Sequence, residues 1–215
     1  MIRNGARMIR YSTAEWPWQS RVQNMLDGSD LETLHYGIPE FDAPFTRAMD
    51  QSTPWHHLFY ERWPTVAEEF AAFVGAVIRP LYPGPIVYQK VPTFRVHMPG
   101  NVSVGEWHRD SDYAHDVHEE NFWLPVTDAP VGRTVAVEFV QGSGVFNEVP
   151  VDYGQVLWFD GANLLHGCHV NHTLATRVSF DFRVVPEAEF VDQPTATTIN
   201  AGMAMTIGGY FARME

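Results

Sequence analysis

The side chains best suited to chemistry stand in two short stretches of the sequence. In the first, VGEWHRDSDYAHDVHEEN, His108 and Asp110 are separated by one residue. Residues i and i+2 of a strand, or of a strand end, point to the same face, so this imidazole and this carboxylate can converge on one ion. The second stretch, LWFDGANLLHGCHVN, supplies His166, far enough along the chain for intervening strands to bring it back. These three side chains predict a metal site.

Two imidazoles and one carboxylate form the facial set of ligands that suits non-haem Fe(II) and leaves three positions open. A 2-oxo acid can take two of these positions through its carboxylate and keto oxygens, and dioxygen can take the third. Fe(II) with these ligands carries one positive charge and 2-oxoglutarate carries two negative charges, so a single arginine balances the site. An arginine fork is suited to this task because it binds a carboxylate through two parallel hydrogen bonds.

Candidate arginines occur in the strand-like run RVSFDFR. Its polar members, Arg177, Ser179, Asp181 and Arg183, alternate with apolar residues and therefore share one face of a strand. A hydroxyl beside the arginine, such as that of Ser179, can add a further hydrogen bond. Arg183 and Arg95, in TFRVHMPG, stay open as alternative anchors, and for both of them a salt bridge is the simpler role.

Taken together, His108-x-Asp110, His166 and Arg177-x-Ser179 resemble the signature of the Fe(II)/2-oxoglutarate-dependent dioxygenases. The stretches HRDSDYAHDVHEENFWLPVTDA and FDGANLLHGCHVNHTLATRVSFDFRVVP resemble the streptomycin-biosynthesis-type (StrG-like) branch, a phytanoyl-CoA-hydroxylase-like group. The resemblance implies a double-stranded β-helix, which is a cupin-like jelly roll, supported by N-terminal α-helices. It also implies that the two histidines and the aspartate bind iron, and that Arg177 and Ser179 hold the distal carboxylate of 2-oxoglutarate.

The hydrophobic pattern predicts the elements that must position these residues, within one mainly β domain. Residues 1–85 combine helical and loop signals, with the clearest helix expected over Thr65–Arg79. Residues 86–187, which carry the resemblance, contain short β-rich runs separated by turns, a pattern typical of a sandwich or barrel. Residues 188–215 are expected to form a last strand or a tail over the mouth of the barrel. The expected strands are Ile86–Gln89, Thr93–His97, Asn121–Val126, Val135–Val140, Val156–Phe159 and Arg177–Val185.

The composition narrows the range of partners. Acidic residues outnumber basic ones by 26 to 14, which gives a net charge of −12 and disfavours nucleic acids and anionic membranes as partners. The same charge slightly favours a cationic small molecule as substrate. The sequence lacks both an apolar run of spanning length and a signal-peptide core, so a cytoplasmic protein is expected. The single cysteine, Cys168, excludes an internal disulfide framework and a CxxC zinc site.

Three further polar residues flank the predicted site. Asn121 is a candidate for a hydrogen bond to the iron-bound end of the 2-oxo acid or to the substrate, although a structural hydrogen bond explains it equally well. His115 and His118 lie among acidic residues that repel one another, so we expect a solvated loop there rather than a second metal site.

The sequence therefore predicts an Fe(II)- and 2-oxoglutarate-dependent oxygenase. It would use dioxygen to hydroxylate an unactivated C–H bond of a small molecule, such as an amino acid or aminocyclitol, and release succinate and carbon dioxide. Desaturation, epimerisation and ring closure stay open because they begin with the same hydrogen abstraction. Two other classes also stay open. One is a cupin-type metalloprotein (an isomerase, hydrolase or metal-dependent binding protein) that does not use 2-oxoglutarate, and the other is a non-enzymatic jelly-roll binding module.

Overall fold

Antiparallel strands dominate the computed structural model, which describes residues 6–38, 51–104, 106–113, 115–198 and 202–215. The strands are β1 (Arg7–Arg10), β2 (Ile86–Gln89), β3 (Thr93–His97), β4 (Glu120–Pro125), β5 (Ala136–Glu138), β6 (Phe146–Glu148), β7 (Gln155–Phe159), β8 (His166–Gly167), β9 (Arg177–Pro186), β10 (Gln193–Thr197), β11 (Ala204–Met205) and β12 (Phe211–Met214). The α-helices are α1 (Trp18–Met25), α2 (Pro54–Arg62) and α3 (Ala67–Phe73). Within the described ranges, no helix has the length and apolar character needed to cross a membrane.

The large sheet has the strand order β1-β7-β4-β9-β2-β12, and β3 also pairs with β9. Strands β2 and β3 lie end to end along the same edge of β9, because β2 pairs with its last residues and β3 with its first. A smaller sheet has the order β6-β5-β8. Side chains of β4, β5 and β7 share one apolar cluster, which packs the small sheet against the large one.

Strand β9 has the two different faces that its alternating sequence predicts. Val178, Phe180 and Phe182 are fully buried in the main apolar core. All three helices reach the ring of Phe180: the ring centroids of Trp18 in α1, Phe59 in α2 and Phe70 in α3 lie 5.7, 6.4 and 6.2 Å from it. The helices therefore cover one face of the large sheet, which leaves the polar face of β9 turned toward the small sheet.

The mainly β class and the supporting N-terminal helices agree with the prediction. The bounds of β2 and β3 are as predicted, and the other four predicted strands agree within two residues at either end. The predicted helix over Thr65–Arg79 is too long and too regular. Its α-helical part is Ala67–Phe73, and the chain then widens into a π-helical turn over Val74–Ile78 and tightens into a 3₁₀ turn over Arg79–Leu81. Gly75 lies in the widened turn, where a Cβ atom would stand 3.4 Å from the Met214 sulfur of β12.

The C-terminal residues supply a last strand. Strand β12 pairs antiparallel with β2 at the edge of the large sheet. Just before it, β10 and β11 pair with each other, and Met205, Tyr210 and Phe211 pack with Val87 and Val185 of the large sheet. This arrangement places Tyr210 on the same side of the sheet as the polar residues of β9.

Candidate active site

His108 and His166 lie side by side because their backbones form an isolated antiparallel bridge. The His108 N–H donates to the carbonyl of His166 at 3.1 Å, and the reverse hydrogen bond measures 2.9 Å. Asp110 reaches the same point from the first residue of a 3₁₀ turn, not from the strand that the i, i+2 argument assumed. Its N–H donates to the carbonyl of Gly161, which anchors the turn. The strand argument was therefore wrong about the local backbone, although the three side chains do meet.

The potential ligand atoms of the three residues all lie within 4.8 Å of one another, and all three residues are buried. Asp110 Oδ1 is 3.3 Å from Nε2 of His108 and 3.6 Å from Nε2 of His166. Each histidine has its Nδ1 near a backbone carbonyl, that of Glu106 for His108 and that of Leu164 for His166. A carbonyl can only accept, so Nδ1 carries the proton and Nε2 of the neutral ring presents a lone pair.

The pKa shifts of His166 and Asp110 favour the binding of a cation by this cluster. Burial lowers the pKa of His166 to about 4, so this imidazole is neutral near pH 7. Burial alone would raise the pKa of Asp110, but the Arg183 guanidinium holds that pKa well below its ordinary value. The neutral imidazole of His166, the imidazole of His108 and an ionised carboxylate therefore converge on one point, and a divalent cation is the natural occupant of such a point.

The second oxygen of Asp110 is used by the protein. Oδ2 accepts hydrogen bonds from Asn121 Nδ2 and from Arg183 Nε, both at 2.8 Å. Asn121 can approach because residue 161 is glycine: a Cβ atom there would lie 2.5 Å from the Asn121 carboxamide carbon. The carboxamide oxygen, Oδ1, is buried and has no hydrogen-bond partner among the described residues. Asn121 thus orients the carboxylate and keeps one acceptor available.

Arg177 is fully buried near the three candidate ligands, and it forms hydrogen bonds with neutral groups. Its Nε donates to the carbonyl of Arg133 at 3.0 Å, and Nη1 donates to Ser179 Oγ at 2.7 Å. Its Nη2 lies 3.0 Å from Ser103 Oγ and 3.3 Å from His97 Nδ1. Across the described residues, no carboxylate forms an ion pair with this guanidinium. The predicted neighbour Ser179 is in place, and the described partners of Arg177 supply no counter-charge.

The imidazole beside Arg177 is also neutral. His97 Nε2 faces the carbonyls of Asn101 and His169 at 3.0 and 3.1 Å, so that nitrogen carries the proton and Nδ1 accepts from Arg177. Burial lowers the pKa of His97 to about 3. Burial likewise lowers the pKa of Arg177 to about 10, the nearby cations Arg95 and Arg133 acting in the same direction. An anion entering here would find a desolvated positive charge.

Both regions line one pocket between the two sheets. Of the predicted site residues, His108, His166, Asn121 and Arg177 line it, while Asp110 and Ser179 contact lining residues through hydrogen bonds. Its other walls are Arg95, Ser103, Val104, Trp123, Val135, Phe159, Gly167, Cys168, Asp181 and Arg183. The Trp123 ring lies 5.1 Å from the Arg177 guanidinium carbon, in cation–π geometry.

The alternative arginines are already paired. Arg183 contacts Asp110 at 2.8 Å and Asp181 at 3.0 Å, and Arg95 lies 3.5 Å from Asp181. The salt-bridge role considered for both is therefore observed. Arg177 is the arginine of this strand face whose described partners are all neutral.

Sequence reasoning missed two residues around Arg177. His97 stands directly opposite Arg177 in the β3–β9 register, so pairing the two predicted strands in register would have placed it there. Ser103 comes from the loop between β3 and His108, where no local pattern marks it. The expectation of a solvated loop holds for His118, whose side chain is 39% exposed, but not for His115, which pairs with the buried Glu119 at 2.7 Å. Tertiary packing against Tyr210 shields that pair from water.

No family model matches the chain. Among solved structures, the non-heme alpha ketoglutarate dependent carbocyclase SnoK from nogalamycin biosynthesis superposes with a TM-score of 0.58 at 12% identity, covering 99% of this chain and 93% of SnoK. The epimerase SnoN, in a complex with Fe³⁺, alpha ketoglutarate and nogalamycin RO, gives a TM-score of 0.53 at 14% identity, covering 99% of this chain and 95% of SnoN. The chain therefore has the fold of these non-haem, 2-oxo-acid-dependent enzymes.

A comparison of sequences identifies the family more narrowly than the fold does. The chain is 35% identical over 205 residues to the streptomycin biosynthesis protein StrG of Streptomyces griseus, an alignment that covers 94% of this chain and 96% of StrG. The chain belongs to the StrG family, and the resemblance seen in its motifs is confirmed.

Proposed function

We propose that the protein is a non-haem Fe(II)- and 2-oxoglutarate-dependent oxygenase that hydroxylates a C–H bond of a small molecule, on a double-stranded β-helix. The observation that carries the proposal is one pocket with two complementary features. Three metal-ligand atoms converge in it, and it is faced by a buried arginine that has no carboxylate partner in the part of the chain that the structure describes. The SnoN complex, which contains Fe³⁺ and alpha ketoglutarate on the same fold, supports this pairing of metal and cosubstrate.

The donor set fits Fe(II). Nε2 of His108, Nε2 of His166 and Oδ1 of Asp110 would hold the ion, and a set of two imidazoles and one carboxylate leaves positions open for other ligands. When bound with 2-oxoglutarate and dioxygen, such an iron supplies an oxidant able to remove a hydrogen atom from an unactivated carbon, with succinate and carbon dioxide as coproducts. His166 need not lose a proton to bind, because burial keeps its imidazole neutral near pH 7.

The surroundings of Arg177 fit the distal carboxylate of 2-oxoglutarate. A buried charge is costly unless it is paired, and here the described residues supply hydroxyls, a carbonyl and an imidazole but no paired anion. In the loaded enzyme, Arg177 would neutralise the carboxylate, and Ser179 and Ser103 would supply hydroxyls beside it. Trp123 and Phe159 would exclude water from the bound cosubstrate, which strengthens the charge pairing.

The proposed substrate is a specialised small molecule such as an amino acid or aminocyclitol. Support comes from the StrG relative, whose name places it in streptomycin biosynthesis. The net charge of −12 would steer a cationic molecule toward the protein at low salt. The cytoplasmic location expected from the sequence remains a prediction.

The test is turnover by anaerobically purified protein that is then supplied with Fe(II), 2-oxoglutarate, air and a panel of amino acids and aminocyclitols. We expect succinate to form only when iron and 2-oxoglutarate are both present, and the accepted substrate to gain the mass of one oxygen atom. Arg177→Leu should bind 2-oxoglutarate poorly. Arg213→Leu is its matched control, because Arg213 is an exposed arginine paired with Glu187 at the sheet edge. Tight metal binding without any consumption of 2-oxoglutarate would instead support the cupin-type alternative.

A further inference from the structure

We propose that Arg183 is a positioning residue that holds Asp110 as a one-oxygen metal ligand and so keeps the remaining coordination positions open. The inference rests on the proposed metal site but concerns a residue outside the ligand set. It also gives the two buried arginines of β9 different tasks: Arg177 faces the cosubstrate, and Arg183 faces the ligand carboxylate.

The first support is that the two oxygens of Asp110 face different groups. Oδ1 faces Nε2 of both histidines, at 3.3 and 3.6 Å. Oδ2 accepts from Arg183 Nε and Asn121 Nδ2, both at 2.8 Å. Two donors at hydrogen-bonding distance occupy the lone pairs of Oδ2, so only Oδ1 is presented to an ion.

The second support is that Arg183 is itself immobilised. Its Nη1 donates to Gln89 Oε1 at 3.2 Å and to Thr93 Oγ1 at 3.0 Å, and it lies 3.0 Å from Asp181 Oδ2. These partners come from β2, β3 and β9, so three strands fix the guanidinium. Since Arg183 is only 5% exposed, solvent does not compete for these contacts.

The consequence concerns the number of open positions. A carboxylate that bound through both oxygens would occupy one more position on the ion, and a chelating 2-oxo acid and dioxygen together need three. By holding Oδ2, Arg183 prevents Asp110 from binding the ion through both oxygens. It also places a positive charge 2.8 Å from a carboxylate that is 1% exposed. Mutation of a residue that hydrogen-bonds to a metal ligand commonly changes metal affinity 10- to 100-fold.

The experiment is a titration of metal-free protein with Co(II), followed by visible absorption, for the wild type, Arg183→Leu and the matched surface control Arg213→Leu. We expect Arg183→Leu to weaken Co(II) binding by about 10- to 100-fold and to change the Co(II) absorption spectrum, because Oδ2 becomes available to the ion. Arg213→Leu should match the wild type in both. If Arg183→Leu does not fold, Arg183→Lys carries the same test, because its ammonium keeps the charge without the Nε–H that orients Oδ2.

The outcomes separate this inference from the proposed function. Co(II) affinity in the Arg183 variant within tenfold of the wild type, with an unchanged spectrum, would overturn the positioning role and leave the oxygenase proposal standing. His108→Ala is included for the other case. If the wild type does not bind Co(II) more tightly than His108→Ala, the metal site itself is wrong and both proposals fail together.

Discussion

Replacing Arg177 with leucine tests the proposed cosubstrate site most directly. The guanidinium is 1% exposed and contacts only neutral groups among the described residues. Leucine keeps part of the apolar volume and removes the charge. We expect the variant to bind 2-oxoglutarate poorly, because the distal carboxylate would then be buried without its partner.

The size of the effect follows from the burial of the charge. Burial lowers the pKa of Arg177 to about 10, so the pocket disfavours the charged side chain and a carboxylate that pairs with it is stabilising. Truncation of one partner of a buried charge pair typically costs about 2–5 kcal/mol, which is roughly 30- to several-thousand-fold in affinity.

The assay is the apparent KM for 2-oxoglutarate from succinate formation, with Co(II) affinity measured in parallel. Arg177→Leu should raise this KM by about two orders of magnitude and leave Co(II) affinity near that of the wild type, since the metal ligands are untouched. Arg177→Lys should restore only part of the loss, because an ammonium keeps the charge but not the fork. A KM within tenfold of the wild type would refute the reasoning, and a selective KM defect in Arg183→Leu would move the anchor to Arg183.

Three further predictions concern the metal ligands, the packing behind them and the neutral imidazole. His166→Ala should abolish stoichiometric Fe(II) binding, measured by metal analysis after anaerobic gel filtration, whereas the partly exposed His118→Ala should bind iron like the wild type; loss of iron in the second variant would place the site in the acidic loop. Gly161→Ala places a Cβ atom 2.5 Å from the Asn121 carboxamide and should lower the free energy of unfolding by about 1–3 kcal/mol in urea titrations, while Gly84→Ala, with open space around its Cβ, should not; equal values would refute the close approach. His97 has a folded-state pKa of about 3, below its ordinary 6.5, so the unfolded chain binds more protons and stability falls as the pH drops below about 6.5. Between pH 7 and pH 5 the wild type should lose about 2 kcal/mol more than His97→Gln in denaturant titrations, and parallel losses would show that His97 is not held neutral.

The chemistry-bearing residues were predictable because local patterns mark them. Alternation in RVSFDFR places Arg177 and Ser179 on one face of β9, and the structure has that face turned toward the pocket. The apolar residues between them form the core, as a strand with one buried apolar face requires. The predicted ligands meet for a different local reason, since Asp110 reaches the histidines from a 3₁₀ turn rather than from a strand. The residue types were sufficient to predict the meeting, but not the backbone that produces it.

Other features depend on tertiary contacts that no local pattern encodes. Strand β1, RMIR, lies at the edge of the large sheet and is mostly exposed, so its sequence lacks the apolar alternation of a buried strand. The burial of His115 and Glu119 follows from packing against Tyr210, more than ninety positions later in the chain. The hydroxyl of Ser103 reaches Arg177 from a loop. In each case the sequence supplies an ordinary residue, and its environment comes from a distant segment.

The choice between Arg177 and Arg183 shows what the observed partners of each side chain add to the sequence pattern. Both arginines lie on the same face of β9, both are buried, and the sequence ranks them only by resemblance. Arg183 lies against two carboxylates that belong to the fold, Asp110 and Asp181, so its charge is compensated within the protein itself. Among the described residues Arg177 has only neutral partners, so an anion that enters the pocket would compensate its charge. A permanent counter-charge suits a residue that orients a metal ligand, and a missing one suits a residue that binds a cosubstrate which must arrive and leave in every cycle.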